Sequence, residues 1–483
     1  MVLAGPFFSR TPAALRERAD RRVSSAHLVG VCGSGMKALA ELLAGEGWIL
    51  TGSDLQAPAP VADPLRKRGL RIHQGHQSDF LAHDTDVLIY SPAVGPENPE
   101  RQQAAALGIP QYSYNEMLGR LMSDKRGVCV AGTHGKSTTT AMTACVLESA
   151  GLSPSAVIGA EVRGRRANGW AGDGDLFVVE SCEYQRNFLH LRPELAAILS
   201  IEPDHFDYFG SFDETIAAFH EFAQLVPADG LLVIREDCPA AHAACRDVGA
   251  NIETFSLQPG ADWWAADLRP SGMGVRFRVF HRGEYFAEMA LQIPGEHSVL
   301  NALAALALCH RAGASVADIR EGLREFAGIR RRFEVVGSWR GATLVDDYAH
   351  HPTAIGATLK TAREVFESRK IWCVFQPHQV SRTRALMDDF AASFGAADEV
   401  LITPVYGARE QYQNELSECS QILAERIAAH GCSARFTPSL DRLISTLEDE
   451  VQPGHVLMTM GAGDIDQVHY AFTRRLQRHY PPR

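Results

Sequence analysis

Short apolar runs alternate with stretches of helical spacing along most of the chain. The runs predict strands at residues 27–31, 48–52, 86–90, 127–131, 176–179, 195–201, 231–234, 343–345, 371–375, 399–403 and 456–460. Strands that alternate with helices form mostly parallel sheets, and such sheets bind ligands at the carboxyl ends of their strands. The pattern therefore predicts an α/β protein whose chemistry lies at strand ends.

The strand and helix pattern restarts twice, which predicts three domains. A chain of 483 residues with 46% hydrophobic side chains is too long for a single hydrophobic core. We expect an N-terminal Rossmann-like domain at residues 1–117, a central P-loop-type mononucleotide-binding α/β domain at residues 118–334, and a C-terminal Rossmann-like domain at residues 335–483.

Charge and cysteine content narrow the class of partner. A net charge of -11 argues against nucleic acid and anionic membranes, because those surfaces require clustered Lys and Arg. The ten cysteines stand singly, without a C-x-x-C pair, which favours reduced thiols. No apolar run approaches the length of a membrane span. We therefore expect a cytoplasmic protein with neither a nucleic-acid nor a membrane partner.

The segment between the apolar run 127–131 and the helical stretch 141–147 has the composition of a phosphate-binding loop. Glycine N–H groups can surround phosphate oxygens, a lysine adds a point charge, and a Ser or Thr hydroxyl can hold Mg²⁺. The spacing departs from the general Walker A motif, whose first glycine would fall at Val130. The alternative is a Gly-rich turn with one surface lysine. We favour a nucleoside triphosphate site formed by Gly132, Thr133, His134, Gly135, Lys136, Ser137 and Thr138.

Three polar residues at strand ends could hold a metal ion beside this loop. A hydroxyl and a carboxylate, as in Ser137 and Glu180, suit Mg²⁺, whereas the imidazole of His205 is a less usual ligand. The alternatives are an exposed strand-end acid for Glu180 and a structural turn residue for His205. The basic run 330–332 could clamp a phosphate when domains close, or could be a solvated surface run.

The two flanking regions each carry a further candidate site. Near the N-terminus, the G-x-x-G-x-G turn that ends at Gly35 is not the G-x-G-x-x-G of a nicotinamide dehydrogenase, which disfavours that alternative. In the last region, cationic groups gather after strands, and the planar arginine fork suits a carboxylate, so an amino acid or small acid is a reasonable ligand. The alternative there is ordinary surface polarity. The candidate residues of this last region are Tyr348, His350, His351, His378, Arg382 and Arg384.

Taken together, these motifs resemble the Mur ligase family over nearly the whole chain. The family's order and approximate spacing are kept by G-V-C-G-S-G-M, A-G-T-H-G-K-S-T-T-T, D-H-F-D-Y-F-G-S-F, D-D-Y-A-H-H-P-T, F-Q-P-H, S-R-T-R and T-M-G-A-G-D-I. The resemblance implies a first domain for a UDP-sugar, a central domain for ATP, and a last domain that receives an amino acid. It also implies ATP and Mg²⁺ as cofactors.

The activity implied is the joining of L-alanine to the carboxylate of UDP-N-acetylmuramate through an acyl phosphate, in peptidoglycan precursor synthesis. UDP-N-acetylmuramate and L-alanine would be the small-molecule partners, and the enzyme would be a monomer or homodimer. A related ligase that adds a murein tripeptide is one alternative. A nucleotide-binding regulator that no longer couples an amino acid is another.

The same resemblance assigns roles residue by residue. The UDP-sugar would meet Gly33, Ser34, Gly35 and Met36, with Ser53 and His76 as weaker candidates. ATP would meet the phosphate loop together with Asn301 at adenine, Arg331 at a phosphate and Asp347 at the ribose. The amino acid would meet Tyr348, His350, His378 and Arg382. Direct catalytic roles would fall to Lys136, Glu180, His205, His350 and Arg382, and the metal to Ser137, Glu180 and His205.

Several positions depart from the family's usual residues, among them Cys182, Ser298 and Gln379. Cys182 stands where the family has Asp, Ser298 where it has Asn, and Gln379 where it has Arg. These departures leave the metal and phosphate residues in place and alter groups on the substrate side.

Overall fold

Three β-sheets organise the chain in a computed structural model that describes residues 24–408, 410 and 415–472. Parallel strand pairs joined by helices predominate in all three. The predicted α/β class is confirmed. Within the described ranges, no helix is long and apolar enough to cross a membrane.

The first sheet is wholly parallel and has the strand order β3-β2-β1-β4-β5. Its strands are β1 (Ser25–Val29), β2 (Ile49–Asp54), β3 (Arg71–Gln74), β4 (Val87–Tyr90) and β5 (Gln111–Ser113). Its helices are α1 (Ser34–Gly45), α2 (Ala59–Lys67), α3 (Pro99–Leu107) and α4 (Tyr114–Met122), and a 3₁₀ turn covers Ser78–Phe80. The order reverses on either side of β1, so the Gly-rich turn after β1 lies at the topological switch point where such sheets bind ligands.

The second sheet has ten strands in the order β15-β14-β13-β12-β11-β10-β6-β9-β7-β8. They are β6 (Arg126–Ala131), β7 (Ser155–Val162), β8 (Ala167–Trp170), β9 (Leu176–Glu180), β10 (Pro193–Ile198), β11 (Leu231–Arg235), β12 (Asn251–Ser256), β13 (Trp263–Ser271), β14 (Gly274–His281) and β15 (Glu284–Leu291). The helices are α5 (Lys136–Ser149), α6 (Phe212–Ala223), α7 (Pro239–Ala244), α8 (Glu296–Ala312) and α9 (Val316–Glu325), with a 3₁₀ segment at Tyr184–His190.

The position of β6 explains where the polar residues meet. It lies between β10 and β9 and pairs with both in parallel, so the carboxyl ends of these three strands lie side by side. The phosphate loop follows β6, while Glu180 ends β9 and residues 199–205 follow β10.

The third sheet has the order β16-β17-β21-β18-β19-β20, and only β16 runs antiparallel to its neighbour. Its strands are β16 (Glu334–Trp339), β17 (Ala342–Asp347), β18 (Ile371–Phe375), β19 (Glu399–Ile402), β20 (Ala434–Phe436) and β21 (Val456–Met460). Its helices are α10 (Pro352–Phe366), α11 (Val380–Ala385), α12 (Met387–Ala392), α13 (Leu416–Ala429) and α14 (Leu440–Glu450).

The first two sheets share one buried apolar cluster. Leu28 and Leu39 from the first sheet and its helices belong to the same cluster as Phe177 and Ile198 from the second. The third sheet has separate buried clusters of its own. Burial of shared apolar surface therefore joins the first two sheets. The third sheet contacts the second partly through polar side chains, which are described with the site below.

Candidate active site

The phosphate loop is shaped by a glycine that no larger residue could replace without strain. Gly135 has φ +81°, in the left-handed region, and a Cβ there would overlap Oδ1 of Asn301. Asn301 lies on α8, so this close approach brings the predicted adenine residue against the loop. The loop, the start of α5 and Asn301 thus form one continuous surface.

Lys136 carries its charge into an almost fully enclosed ion pair. Its Nζ donates to the carbonyl of Gly132 at 2.5 Å and to Oε1 of Glu183 at 3.0 Å, and Glu183 is 2% exposed. Burial works against both charges, but the pair outweighs it: the Lys136 ammonium lowers the pKa of Glu183, and the Glu183 carboxylate raises the pKa of Lys136. Both groups are therefore charged at neutral pH.

The side chains of Ser137 and Glu180 contact each other beside the phosphate loop. The Ser137 hydroxyl donates to Oε1 of Glu180 at 3.0 Å, and the backbone N–H of Gly159 donates to Oε2 of the same carboxylate at 2.5 Å. His205, the third predicted metal residue, instead has Nε2 at 3.4 Å from Oε1 of Glu183. The hydroxyl and carboxylate oxygens of Ser137 and Glu180 form a donor set that fits Mg²⁺.

The segment after β10 supports the phosphate loop from the other side. The backbone N–H of Thr133 donates to the carbonyl of Ser200 at 2.8 Å, and the Thr133 hydroxyl accepts from the N–H of Glu202 at 2.9 Å. Nε2 of His134 lies 3.4 Å from Oε2 of Glu202. Thr138 is buried within α5. These contacts fix the conformation of the loop through protein groups alone.

The predicted UDP-sugar turn lies against the second sheet. Gly33 is the N-cap residue of α1, and the Ser34 hydroxyl donates to the carbonyl of Gly159 at 2.5 Å. Gly35 packs closely on the ring of Tyr114. The side chain of Met36 is buried in the core cluster shared by the first two sheets, so only its backbone lies in the turn.

Ser53 and His76 belong to a buried polar network rather than to an open surface. The Ser53 hydroxyl donates to Oε2 of Glu100 at 2.7 Å and lies 3.0 Å from Nδ1 of His76. Ser53 and Glu100 are fully buried. Burial works against the Glu100 carboxylate, but the neighbouring His27 ring and the hydrogen bond from Ser53 lower its pKa.

The third sheet contributes Arg382, whose guanidinium joins it to the second. Nε of Arg382 donates to Oδ1 of Asp204 at 2.8 Å, and Nη1 lies 3.0 Å from Nδ1 of His378. The Asp204 and Arg382 side chains are 9% and 4% exposed. Although burial works against it, the Arg382 charge holds the pKa of Asp204 well below its usual range.

His350 and Tyr348 complete the group predicted to surround the amino acid. The rings of Tyr348 and His350 pack edge to face with centroids 5.3 Å apart, and His350 lies 6.0 Å from the ring of His378. Nδ1–H of His350 donates to the carbonyl of Tyr348 at 2.8 Å. Burial and the neighbouring Arg382 charge hold the pKa of His350 well below its usual range, so its imidazole is neutral. The structure therefore brings Tyr348, His350, His378 and Arg382 together.

Asp347 and Arg331 are already bonded within the third sheet. The two oxygens of Asp347 accept from the N–H groups of Phe333 and Ala349, each at 2.7 Å, and burial raises its pKa. The Arg331 guanidinium donates to the carbonyl of Gly461 at 2.8 Å and lies 3.2 Å from a carboxylate oxygen of Asp346. In this arrangement both side chains stabilise the turns at the ends of β17 and β21.

Sequence reasoning missed three residues of the site. Glu183 stands three positions after Glu180, and an acid so close to a strand end was the available signal. Asp204 lay within the acidic segment after β10 but received no role. Tyr114 had no local signal, because it belongs to the first sheet and reaches the site only through the fold; burial and the Glu180 charge raise its pKa.

Three of the departures from the family pattern, Cys182, Ser298 and Gln379, occupy different environments. Cys182 is exposed beside the phosphate loop. The Ser298 hydroxyl donates to the carbonyl of Pro294 at 2.6 Å within the first turn of α8. Gln379 is buried at the start of α11 with φ +70°, and its carbonyl accepts from the hydroxyl of Thr383 at 2.7 Å.

Family models match three successive parts of the chain. Residues 25–126 match "Mur ligase family, catalytic domain", residues 130–309 match "Mur ligase middle domain", and residues 331–463 match "Mur ligase, glutamate ligase domain". A UDP-N-acetylmuramate–L-alanine ligase of Salinibacter ruber is 41% identical over 94% of this chain and 96% of its own length. One of Desulfitobacterium hafniense is 42% identical over 92% of this chain and 98% of its own length.

Solved structures agree with these matches. The UDP-N-acetylmuramate–alanine ligase of Thermotoga maritima has a TM-score of 0.79 at 29% identity, over 94% of this chain and 99% of its own. A murein peptide ligase of Psychrobacter arcticus has a TM-score of 0.72 at 26% identity, over 94% and 98%. Full-length identity near 40%, the three family models in order and the shared fold lead to one conclusion: this chain belongs to the Mur ligase family.

Proposed function

We propose that this chain joins L-alanine to the carboxylate of UDP-N-acetylmuramate, using ATP, as a step in making peptidoglycan precursors. The muramoyl carboxylate attacks the γ-phosphorus of ATP, ADP leaves, and an acyl phosphate forms. The amine of alanine then attacks the acyl carbon, and the resulting tetrahedral species loses phosphate and a proton to leave an amide. We place the reaction in the cytoplasm and assign the enzyme to a monomer or homodimer.

The observation that carries this proposal is near-complete coverage by curated relatives of one activity. Proteins named UDP-N-acetylmuramate–L-alanine ligase are about 40% identical to the chain over more than nine-tenths of its length. The site supports it, because a phosphate loop, an acidic strand end and a cluster of cationic groups lie next to one another.

The phosphate end of the site is assigned to residues of the second sheet. Lys136 would exchange its Glu183 partner for phosphate oxygens and neutralise charge that develops during transfer. Ser137, Glu180 and His205 would hold Mg²⁺, which supplies charge neutralisation at the phosphates. Asn301 borders the loop and is assigned to adenine, while Arg331 and Asp347 are assigned to phosphate and ribose.

The two organic substrates are assigned to the flanking sheets. Residues 1–117 would bind the UDP-sugar through Gly33, Ser34, Gly35 and Met36, with Ser53 and His76 as weaker candidates; residues 1–23 lie outside the described part. Residues 118–334 would bind ATP. Residues 335–483, described through 472, would bind alanine through Tyr348, His350, His378 and Arg382, whose guanidinium suits a carboxylate.

The decisive experiment measures ADP release with each substrate omitted in turn. We expect ADP only when UDP-N-acetylmuramate, an amino acid and Mg²⁺ are all present, with L-alanine preferred over glycine and L-serine. The amide product is identified by mass spectrometry. ATP binding without turnover on any amine would contradict the proposal and support a non-coupling regulator.

A tripeptide ligase is the second candidate, favoured by the shared fold with a murein peptide ligase. The same assay separates the two activities, because L-alanyl-γ-D-glutamyl-meso-diaminopimelate can replace alanine in it. Turnover on the tripeptide that exceeds turnover on alanine would decide for the second candidate. We expect the reverse order, because curated relatives about 40% identical over more than nine-tenths of the chain are named alanine ligases.

A further inference from the structure

His134, Glu202 and His351 form a compact cluster to which the proposed reaction assigns no metal ion. His134 lies in the phosphate loop, Glu202 follows β10, and His351 is the N-cap residue of α10 in the third sheet. One donor atom from each residue lies within 4.8 Å of the other two. The cluster therefore links two sheets through three groups that bind metal ions.

The hydrogen bonding of His351 fixes which of its nitrogens faces the cluster. Nε2 lies 3.3 Å from the carbonyl of Pro203, and a carbonyl oxygen only accepts, so Nε2 carries the proton. Nδ1 then presents a lone pair toward Oε2 of Glu202 at 3.6 Å. His351 is 5% exposed, and this buried Nδ1 has no hydrogen-bond partner in the described chain. A lone pair is repelled by a carboxylate oxygen that it faces unless a cation, either a proton or a metal ion, lies between them.

His134 presents a second nitrogen to the same oxygen. Its Nε2 is buried, lies 3.4 Å from Oε2 of Glu202 and has no hydrogen-bond partner among the described residues. The Thr353 hydroxyl donates to that oxygen at 2.6 Å and so holds the carboxylate in place. The His134 and Glu202 side chains are 24% and 29% exposed, which leaves a path for an ion to enter.

The spacing of these atoms fits a metal better than a hydrogen bond. Hydrogen bonds between such atoms fall at about 2.7–3.2 Å. Two ligands bound about 2.1 Å from a tetrahedral ion are separated by roughly 3.4 Å. The separations of 3.4 Å and 3.6 Å lie close to that tetrahedral edge.

We propose that His134, Glu202 and His351 bind one divalent transition-metal ion of the Zn²⁺ class. Two imidazoles and one carboxylate favour Zn²⁺ or Co²⁺ over Mg²⁺, which prefers oxygen ligands. The fourth position is open to water. The bound ion cross-links the phosphate loop to the segment before α10 and opposes movement of the third sheet away from the second. This inference goes beyond the proposed ligase reaction and does not depend on it.

The test is Zn²⁺ binding to tag-free, full-length protein, followed with a chromophoric indicator in excess Mg²⁺. We expect one equivalent of Zn²⁺ that Mg²⁺ does not displace, and a loss of at least about 10-fold in affinity in each of H134Q, E202Q and H351Q. Bound Co²⁺ should give the intense visible absorption of a four-coordinate ion.

Two control variants locate the ion. H242Q removes an exposed imidazole beside Glu236 and should leave Zn²⁺ affinity unchanged. H205Q alters the proposed magnesium site and should also keep the high-affinity equivalent. Loss of binding in H205Q but not in H351Q, or equal affinity in all variants, would overturn the proposal.

Circular dichroism and melting temperature establish that each variant is folded. If one cluster variant does not fold, the other two still decide the outcome, together with the Co²⁺ spectrum of the unaltered protein. A weak, octahedral Co²⁺ spectrum would overturn the proposal by itself.

Discussion

Lys136 is bonded to oxygens of two kinds, the carbonyl of Gly132 and the carboxylate of Glu183. Because Glu183 is 2% exposed, it has few other partners to neutralise it. An incoming phosphate would therefore compete with a protein carboxylate for the ammonium rather than with water. The balance between these two anions determines how readily the loop accepts a nucleotide.

Replacing this lysine tests that balance. We expect K136A to lower turnover at least about 10²–10³-fold, because transition-state charge loses its neutralising group. The variant should also be destabilised by about 3–5 kcal/mol, since Glu183 is left buried without its partner. The double variant K136A/E183Q should recover stability but not turnover. Turnover is followed by ADP release and stability by urea unfolding.

A matched control for this change is Lys360→Ala. Lys360 also forms an ion pair, with its Nζ 2.7 Å from Oε2 of Glu296, but this pair lies on the exposed surface. We expect K360A to keep turnover within about two-fold and to change stability by under about 1 kcal/mol. Normal turnover in K136A would refute the assignment of the phosphate loop.

A second substitution at the residue scale separates backbone strain from crowding. Gly135 and Gly151 both have positive φ, +81° and +72°, but only Gly135 has the Asn301 side chain where a Cβ would be placed. G151A should cost about 1 kcal/mol, which is the price of the left-handed backbone alone. G135A should cost about 1–3 kcal/mol more and weaken ATP binding. Equal effects on stability and on ATP affinity would show that Asn301 does not press on the loop.

At the scale of elements, α1 and β8 are joined by a contact that leaves no room for a side chain. A Cβ at Gly169 would overlap the backbone carbonyl of Ala38. Beside it, the N–H groups of Asn168 and Gly169 donate to Oε2 of Glu41 at 3.0 Å and 3.1 Å. Glu41 lies on α1 and is buried, so it satisfies the backbone of a strand from another sheet.

Gly169→Ala tests whether this contact holds the first two sheets together. We expect a destabilisation of about 2–3 kcal/mol, because backbone atoms must move to admit the methyl group. Gly249→Ala is the control, since a Cβ there meets nothing within 4 Å, and it should change stability by under about 0.5 kcal/mol. Thermal melts of both variants, measured side by side, give the comparison. A G169A melt equal to that of G249A would contradict the packing described here.

The same elements show what the sequence could and could not predict. Buried parallel strands were predicted closely, because strands covered on both faces are continuously apolar. The apolar run 371–375, for example, is strand β18. Strands β13 to β15 were missed, because β14 alternates buried and exposed residues and forms no apolar run. The phosphate loop followed from local pattern. The Lys136 partner Glu183 and the contact of Ser34 with Gly159 required the tertiary fold.

At the scale of the whole molecule, the first two sheets share an apolar cluster, and polar bonds from Arg382 and Thr353 are among the contacts that join the third sheet to the second. Arg382 on α11 and Asp204 after β10 form the most buried ion pair of this junction. Paired buried charges contribute little net stability, but removal of one partner costs several kcal/mol. Because protonation of Asp204 removes one charge of this pair, we expect the stability of the junction to depend on pH.

Asp204→Asn tests that sensitivity. The native pKa of Asp204 is depressed, so its stabilising effect is complete well above the unfolded value of about 4 and is lost as pH falls below it. The stability difference between the native chain and D204N should therefore shrink by roughly 0.7 kcal/mol between pH 6 and pH 3.5. Urea unfolding at both pH values measures this difference.

D389N supplies the comparison, because the Asp389 carboxylate is exposed. D389N should change stability by under about 0.5 kcal/mol at each of the two pH values, because it replaces an exposed surface side chain. A D204N difference that is the same at both pH values would show that Asp204 does not titrate abnormally in the folded protein.

The carbonyl of Gly159 accepts from Ser34 and its N–H donates to Glu180, so a single residue of β7 contacts both neighbouring sites. This has a consequence for chimeric enzymes. If residues 25–126 were replaced by the matching segment of a relative, the new turn after β1 would face the β7 of this chain and not the β7 with which it normally packs. Grafts that carry β7 along with the donor segment should couple the two substrates better than grafts cut at the sheet boundary.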